Sequence, residues 1–452
     1  MRFSKNESFN LNGKNIKILD LLGEGGQGEV YLVTDGTSQF AFKYYKYIPS
    51  DDFKYNLRNN IAKGSPSNNF LWPKKYIEFE DKSCGYLMEL RPQNYASFIS
   101  YLTGKTRFKT TRVMLNWCIE LVQSFKALHE KGYSYQDLND GSFFLDPDTG
   151  GLLICDNDNV TADKRNLGVL GKMRYMAPEI VRGDKDNYTG DRQMPDTHSD
   201  RFSLAIILFL AFCLGNPFEG ECLKKYIIID ENAEYEMFGE SPVYIYDEFN
   251  NSNRPIRGYH TAVLNRYPNL PSYIKEAFHK TFTLGLTDRE NSRTTEIEWL
   301  KLLCKWRDEL ITCDCGKEYI YGFNEKKQNE KCPYCRNKTR IFCYLHVGKN
   351  KIILEPNKYL YKIHIDKYSN GYNEPVAKVI QNKKNPSLWG IELRLDKDIY
   401  IKDKEGKEKI IKKDGVIPII SNLKIKFNDG VIGEILNNNG GSRLWIQCKL
   451  LI

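Results

Sequence analysis

Three groups of residues in this chain have the types and spacing to do chemistry. The first is residues 23–28, where Gly23, Gly25 and Gly28 fit G-x-G-x-x-G with Gly26 between them and Val30 just beyond. Glycines at such a turn let backbone N–H groups approach phosphate oxygens without side-chain obstruction. The second is a pair of aspartates, Asp137 and Asp156, 19 positions apart, with Asp158 close behind. Carboxylates can hold a hard cation such as Mg²⁺ or accept a proton. The third is Cys313 and Cys315, followed by Cys332 and Cys335. Two thiol pairs brought to one point make a tetrahedral sulfur site.

The elements around the glycines decide what they are for. A dinucleotide fingerprint runs from the glycines into a helix, with an acidic residue ~20 positions later. Here Val30-Tyr31-Leu32-Val33 follows, then a turn at Asp35-Gly36, then a second strand at residues 40–44. That is a hairpin. Lys43, on the returning strand, can point at the α- and β-phosphates of a bound triphosphate. The aspartates sit in an equally regular frame. A helix is expected over residues 113–130, with apolar Cys118, Leu121, Val122, Phe125 and Leu128 on one face and Gly132 at its C-cap. Residues 135–145 follow, and a strand over 151–155 leads to Asp156-Asn157-Asp158.

Together these residues resemble the protein kinase family. Gly23–Gly28 resembles the Gly-rich loop, and Ala41-Phe42-Lys43 its Ala-x-Lys strand. Tyr135-Gln136-Asp137-Leu138 resembles the catalytic loop H-R-D-L, and Asp156-Asn157-Asp158 the D-F-G element. Met176-Ala177-Pro178-Glu179 resembles A-P-E, and Asp200 the start of the large buried helix. Arg293 is similar to the late arginine that pairs with the A-P-E glutamate, here Glu179. The resemblance covers residues 10–308. It implies an α+β, bilobal kinase fold and an enzyme that moves the γ-phosphate of ATP to protein Ser/Thr hydroxyls. Asp137 and Lys43 would be catalytic. Gly23, Gly25, Gly26, Gly28, Val30, Ala41, Lys43, Glu89, Ser142 and Asp156 would hold ATP. Asp156, Ser142 and Asp158 would hold Mg²⁺ or Mn²⁺.

The chain departs from the family at several positions. The catalytic-loop His is Tyr135. The Arg is Gln136, which removes the usual anchor for a phosphorylated activation loop, so activity is expected not to need that modification. Asn139 replaces a Lys that steadies the γ-phosphate. Ser142 replaces the second-metal Asn, and Asp158 is expected to supply the missing oxygen. Lys172 stands where Ser/Thr kinases usually carry Thr. The helix that supplies the lysine's acidic partner, near residues 52–63, contains no Glu. Asn56 lies nearest that slot, with Glu89 as a compensating candidate. Residues 69–73, 155–160 and 215–220 resemble a divergent bacterial subgroup. Its members are associated with a metal-dependent phosphatase and a von Willebrand A-type protein in stress and tellurite-resistance settings.

Beyond residue 310 the pattern changes. Cys332-Pro-Tyr-Cys335 resembles a zinc-ribbon knuckle, and with Cys313 and Cys315 implies a structural Zn²⁺ over residues 311–340. Cys343 or His346 is a reserve ligand. Residues 341–452 alternate apolar and polar residues between turn signals at Asp414-Gly415, Asp429-Gly430 and Gly440-Gly441, with strands at 424–427 and 431–435. Short strands at this spacing predict a small all-β, sandwich-like domain. It resembles a forkhead-associated sandwich but lacks that family's Gly-Arg and Ser-x-x-His phosphothreonine contacts, which leaves an interaction or regulatory module.

Bulk composition adds limits. The chain has 452 residues, 41% of them hydrophobic, enough for several packed cores. Lys plus Arg is 66 against 58 for Asp plus Glu, a mild excess that does not call for nucleic acid. The first ten residues have no apolar core, and the run at 202–214 is too short to span a bilayer. With no leader, the twelve cysteines are expected to be reduced and the protein cytoplasmic. Three functions stand: an active kinase, a nucleotide-binding pseudokinase scaffold, and a ribbon-driven adaptor.

Overall fold

The computed structural model describes residues 2–438 apart from 12, 166, 168–170, 186–193, 324–329, 341, 367, 428 and 429. The chain forms two compact units, Met1–Lys109 with Glu120–Glu298, and Thr110–Ile119 with Trp299–Ile452.

The first unit opens with β1 (Ser8–Leu11), β2 (Lys14–Glu24), β3 (Gly28–Thr34) and β4 (Gln39–Tyr45), then α1 (Asp51–Lys63), β5 (Lys75–Glu78) and β6 (Cys84–Glu89). The strands pair antiparallel in the order β1-β2-β3-β4-β6-β5. The expected hairpin is β3–β4, and its turn is fastened by Asp35, whose carboxylate accepts the Thr37 and Ser38 N–H groups. Period-two alternation sends β4 to both sides. Phe42 and Tyr44 join one apolar cluster with Tyr31, Val33 and Ile18. Ala41 and Tyr45 join another with Leu57, Tyr86 and Met88. Lys43 lies between Ala41 and Tyr45 in the strand and therefore shares the second face. Helix α1 starts where the Ser50 side chain accepts the Phe53 N–H, with Asp51 and Asp52 in its first turn and Lys63 in its last, matching the helix dipole.

Next come β7 (Ala96–Ser97), α2 (Phe98–Leu102), α3 (Thr111–Glu130), β8 (Tyr133–Ser134), β9 (Phe143–Leu145), β10 (Leu152–Ile154) and β11 (Thr161–Ala162). The strands form two small sheets, β10-β9-β7 and β11-β8. They set the segments 135–142 and 155–160 in place. The helices α4 (Pro178–Lys185), α5 (Thr197–Cys213), α6 (Glu231–Tyr235), α7 (Thr261–Arg266), α8 (Ser272–Phe282), α9 (Arg289–Ser292) and α10 (Glu296–Asp308) follow. Helix α5 is the expected apolar run. It is buried on every side from Phe202 to Cys213 and begins with a capping box between Asp196 and Ser199.

The second unit contains a hairpin of β12 (Leu310–Thr312) and β13 (Glu318–Ile320). After it come β14 (Cys343–Val347), β15 (Asn350–Leu354), β16 (Tyr359–Tyr361), α11 (Lys362–Ile365), β17 (Pro375–Gln381), β18 (Trp389–Leu393), β19 (Ile399–Lys402), β20 (Glu408–Ile411), β21 (Val416–Pro418), β22 (Lys424–Lys426) and β23 (Ile432–Asn437). They make a six-stranded sheet, β15-β14-β23-β22-β19-β20, and a four-stranded sheet, β16-β17-β18-β21. Inward residues of both, such as Leu345, Ile401 and Ile435 against Val379, Ile391 and Ile417, belong to one buried cluster. Of the three turn signals, Asp414 lies between β20 and β21 at φ 60°. Asp429 and Gly440-Gly441 lie outside the described residues. Among the described residues no helix is long and apolar enough to cross a membrane.

Candidate active site

The glycine turn joins β2 to β3. Gly28 approaches β4 so closely that a Cβ there would lie 2.3 Å from the Tyr44 carbonyl oxygen. At Gly23, Gly25 and Gly26 the same atom would meet nothing within 4 Å. The three leading glycines are therefore not demanded by protein packing. They face open space of the kind a phosphate chain needs. Val30 and Ala41 lie in the apolar cluster of that face, which also takes in Met88, Leu90, Phe144 and Cys155. This gives an apolar surface beside the glycine turn.

Lys43 is buried, and its ammonium donates to Asp158 Oδ2 at 2.8 Å and Oδ1 at 3.0 Å. It also reaches Asp156 Oδ1 at 3.3 Å. Burial alone would push the lysine down, but the charges of Asp158 and Asp156 hold it above its ordinary value. Asp158 is wholly buried. Tyr45 donates its hydroxyl to Oδ2 at 2.6 Å and Tyr86 to Oδ1 at 3.2 Å. Burial would raise this carboxyl; Lys43 and the Tyr45 hydroxyl hold it below the usual range. The Asp158 oxygens thus already carry four donor contacts, and the oxygen expected for Mg²⁺ is committed to Lys43.

Asp156 differs from its neighbour. Its side chain is 45% exposed, and its backbone is left-handed at φ 55°. That conformation is uncommon for a non-glycine residue and clusters at functional sites. Between the two aspartates, Asn157 is buried and donates to the Leu71 and Ile154 carbonyls, both at 2.9 Å.

The other two candidates for the lysine's partner go elsewhere. Asn56 donates to the Val160 carbonyl at 2.8 Å, and Asn60, one turn on, donates to the same oxygen at 2.8 Å. Both amides dock α1 on the segment after Asp158. Glu89 is exposed and pairs with Lys74. Its strand register explains this: β6 places Tyr86 opposite Lys43 and Glu89 opposite Phe40, about 10 Å along the strand.

Asp137 lies between β8 and β9. Asn139 Nδ2 donates to its Oδ1 at 2.9 Å, and the Ser142 hydroxyl to its backbone carbonyl at 3.4 Å. Burial raises the Asp137 carboxyl, opposed by the Asn139 bond and by Lys172 and Lys43. A raised value moves a carboxylate toward the range useful to a general base. Lys172 pairs with Asp140 at 3.0 Å. Gln136, at φ 68°, donates to the Thr161 hydroxyl and the Arg165 carbonyl. Thus a neutral amide ties the catalytic loop to the segment that follows β11. Glu179 and Arg293 form the expected pair, with two bonds at 2.7 and 2.8 Å.

Sequence reasoning missed the device that holds this loop. His129, buried in α3, meets Asp200 Oδ2 through Nε2 and Glu296 Oε1 through Nδ1, both at 3.0 Å. Asp200 Oδ2 also accepts the Tyr135 N–H at 2.8 Å. A histidine at the end of an amphipathic helix carries no distinguishing signal of its own.

In the second unit, Cys313 and Cys335 sulfurs are 3.5 Å apart and those of Cys315 and Cys332 3.9 Å. All four lie within 4.8 Å of one another. Zn–S bonds of about 2.3 Å in a regular tetrahedron separate sulfurs by about 3.8 Å, so the donor set fits Zn²⁺.

The arrangement brings together a glycine turn, a lysine, an exposed aspartate and, on a separate loop, a carboxylate whose pKa is raised, residue types that phosphoryl transfer uses. The protein kinase domain family matches residues 16–282, and the chain belongs to that family. It is similar to the serine/threonine-protein kinase AtPK2/AtPK19 of Arabidopsis thaliana, 26% identical over 216 residues, 46% of this chain and 43% of that one. It is also similar to the protein kinase C delta type of Rattus norvegicus, 25% identical over 218 residues, 46% of this chain and 30% of that one. A third relative is the ribosomal protein S6 kinase alpha-2 of Homo sapiens, 25% identical over 233 residues, 49% and 30%. The chain covers less than half the length of each of these relatives.

Proposed function

We propose that the chain is an ATP-dependent protein kinase that transfers the γ-phosphate to Ser or Thr hydroxyls of a protein substrate, itself included, in a bacterial signalling or stress-response system. The observation that carries this is Lys43 beside the exposed Asp156, with Asp137 close enough to respond to both charges. Gly23, Gly25, Gly26 and Gly28 would cradle the phosphates, and Val30 and Ala41 would meet the base. Asp156, with Ser142, would hold Mg²⁺ or Mn²⁺, which neutralises charge on the phosphates. Asp137 would orient the acceptor hydroxyl and take its proton.

The remaining parts of the reading follow the sequence. Residues 10–308 serve as the kinase, 311–340 as a segment closed by structural Zn²⁺, and 341–452 as a sandwich-like interaction module. A cognate metal-dependent phosphatase and a von Willebrand A-type protein are the partners, in the cytoplasm, with no role for nucleic acid or membrane. A second reading, the nucleotide-binding pseudokinase scaffold, is favoured by Asn139, which engages Asp137 where the family carries a lysine.

The test is transfer of label from ATP to the protein and to a generic acceptor, with Mg²⁺ or Mn²⁺. Transfer abolished in Lys43→Met, Asp137→Ala and Asp156→Ala is the expected result. No transfer from a chain that binds ATP would replace the kinase reading with the scaffold.

A further inference from the structure

We infer that Asp158 is the positioning residue for Lys43, supplying from the Asp156–Asp158 triplet the negative charge that the family takes from helix α1. This deepens the kinase reading and rests on it. Four observations carry it. Asp158 makes both of the shortest contacts to the ammonium, at 2.8 and 3.0 Å. Among the described residues the only other acidic group within ion-pair distance is Asp156, at 3.3 Å and 45% exposed. Tyr45 and Tyr86 fix the Asp158 carboxylate from two strands, at 2.6 and 3.2 Å. The α1 side chain that the sequence puts nearest the vacated slot, Asn56, donates instead to the Val160 carbonyl.

The rival role, a metal ligand, would require Asp158 to give up charged and hydroxyl donors in a site with no solvent to replace them, which is costly. The assignment also changes what α1 does. In this chain the helix carries no part of the ion pair, so its displacement would leave Lys43 paired. Control by swinging α1 away from the lysine is therefore not available. What α1 contributes is the double amide grip of Asn56 and Asn60 on Val160.

The experiment reads how strongly the site distinguishes ADP from adenosine. Affinities of the full chain for both are measured by calorimetry without added Mg²⁺, so that metal ligation does not enter. Lys43→Met sets the floor of the ADP-to-adenosine ratio. Asp158→Asn is expected to lower the ratio at least tenfold toward that floor, while Asn56→Ala keeps it. A purely packing role for Asp158 would weaken both ligands together and leave the ratio unchanged, which would overturn the proposal. So would a collapse of the ratio in Asn56→Ala, or a wild-type ratio no higher than that of Lys43→Met. Should Asp158→Asn not fold, the Tyr45→Phe/Tyr86→Phe double variant, which loosens the carboxylate but keeps its charge, is expected to lower the ratio at least threefold. No change there overturns the assignment. A Lys43-dependent ratio in a chain that transfers no phosphate would refute the kinase reading alone and leave this one standing.

Discussion

The His129 side chain, held between Asp200 and Glu296, is expected to make the stability of the first unit depend on pH. Burial alone would lower its pKa, but hydrogen bonds to Asp200 and Glu296, and their charges, raise it to about 9. Arg201 donates to both Glu296 oxygens, Nε to Oε1 at 2.8 Å and Nη2 to Oε2 at 3.1 Å, so His129 shares Oε1 with a permanent cation. An unfolded histidine titrates near 6.5. The folded value is the higher one, so the contribution is complete below about pH 6.5 and is lost as pH rises toward 9. The difference of about 2.5 units corresponds to ~3 kcal/mol at pH 6, ~2 kcal/mol at pH 7.5 and under ~0.5 kcal/mol at pH 9.

The perturbation is His129→Gln, which keeps a donor for one carboxylate and removes the charge. Thermal unfolding of both proteins at pH 6, 7.5 and 9 is the assay. At ~2–4 °C per kcal/mol, the wild type should lead by about 6 °C or more at pH 6, and the gap should shrink to ~1–2 °C at pH 9. Comparing the two proteins at each pH cancels the titrating groups that do not contact His129. A gap that stays constant across the range would show that His129 is neutral in the folded state and that the Asp200–Glu296 clamp works by shape alone.

Three further outcomes are expected. Gly28→Ala should destabilise the first unit by ~2 kcal/mol or more, because its Cβ would lie 2.3 Å from the Tyr44 carbonyl. Gly25→Ala, with open space around it, should leave the melting temperature within a degree or two and raise KM for ATP instead; equal melting losses in both variants would contradict this. Purified protein should carry one Zn²⁺ per chain by elemental analysis. Cys332→Ser should lose it, and a metal content unchanged by that variant would move the site elsewhere. Phosphatase treatment should leave phosphate transfer intact, because Gln136 is already tied to Thr161 and Arg165 by uncharged bonds; loss of transfer would sink that reading.

The parts of the site that could be read in the sequence are those that are local in it. The glycine turn, the β3–β4 hairpin and the loops bearing Asp137 and Asp156 are short contiguous strings whose chemistry depends on spacing. The apolar helix α5 and the Glu179–Arg293 pair were legible for similar reasons: a long apolar run, and a residue pair with fixed partners in the family. What could not be read was partner choice among residues far apart in the chain. Lys43 and Asp158 are 115 positions apart, and nothing in either string says which face of β4 the lysine shares with Tyr45, or that β6 brings Tyr86 opposite it. His129 and Glu296, 167 positions apart, pose the same problem.

Taken one at a time, the missing helix glutamate, the asparagine in place of the family's central phenylalanine and the aspartate in place of its glycine each look like erosion of an enzyme. Their contacts argue otherwise. Asn157 replaces apolar anchorage with two bonds to buried carbonyls. Asp158 stands beside a lysine that would otherwise lie buried with only the exposed Asp156 for company, at a cost of several kcal/mol for an unpaired charge. Asn56, with no part in the ion pair, joins Asn60 in gripping the carbonyl two residues beyond Asp158 and so docks α1 on the segment after the triplet. A glutamate at Asn56, the position the sequence puts nearest the family's slot, would add a third carboxylate to a lysine already paired with Asp158 and Asp156, and like charges in a buried site repel strongly. The helix is therefore expected to lack its glutamate for as long as the triplet ends in aspartate. On this assignment the two departures are one exchange of charge across the site.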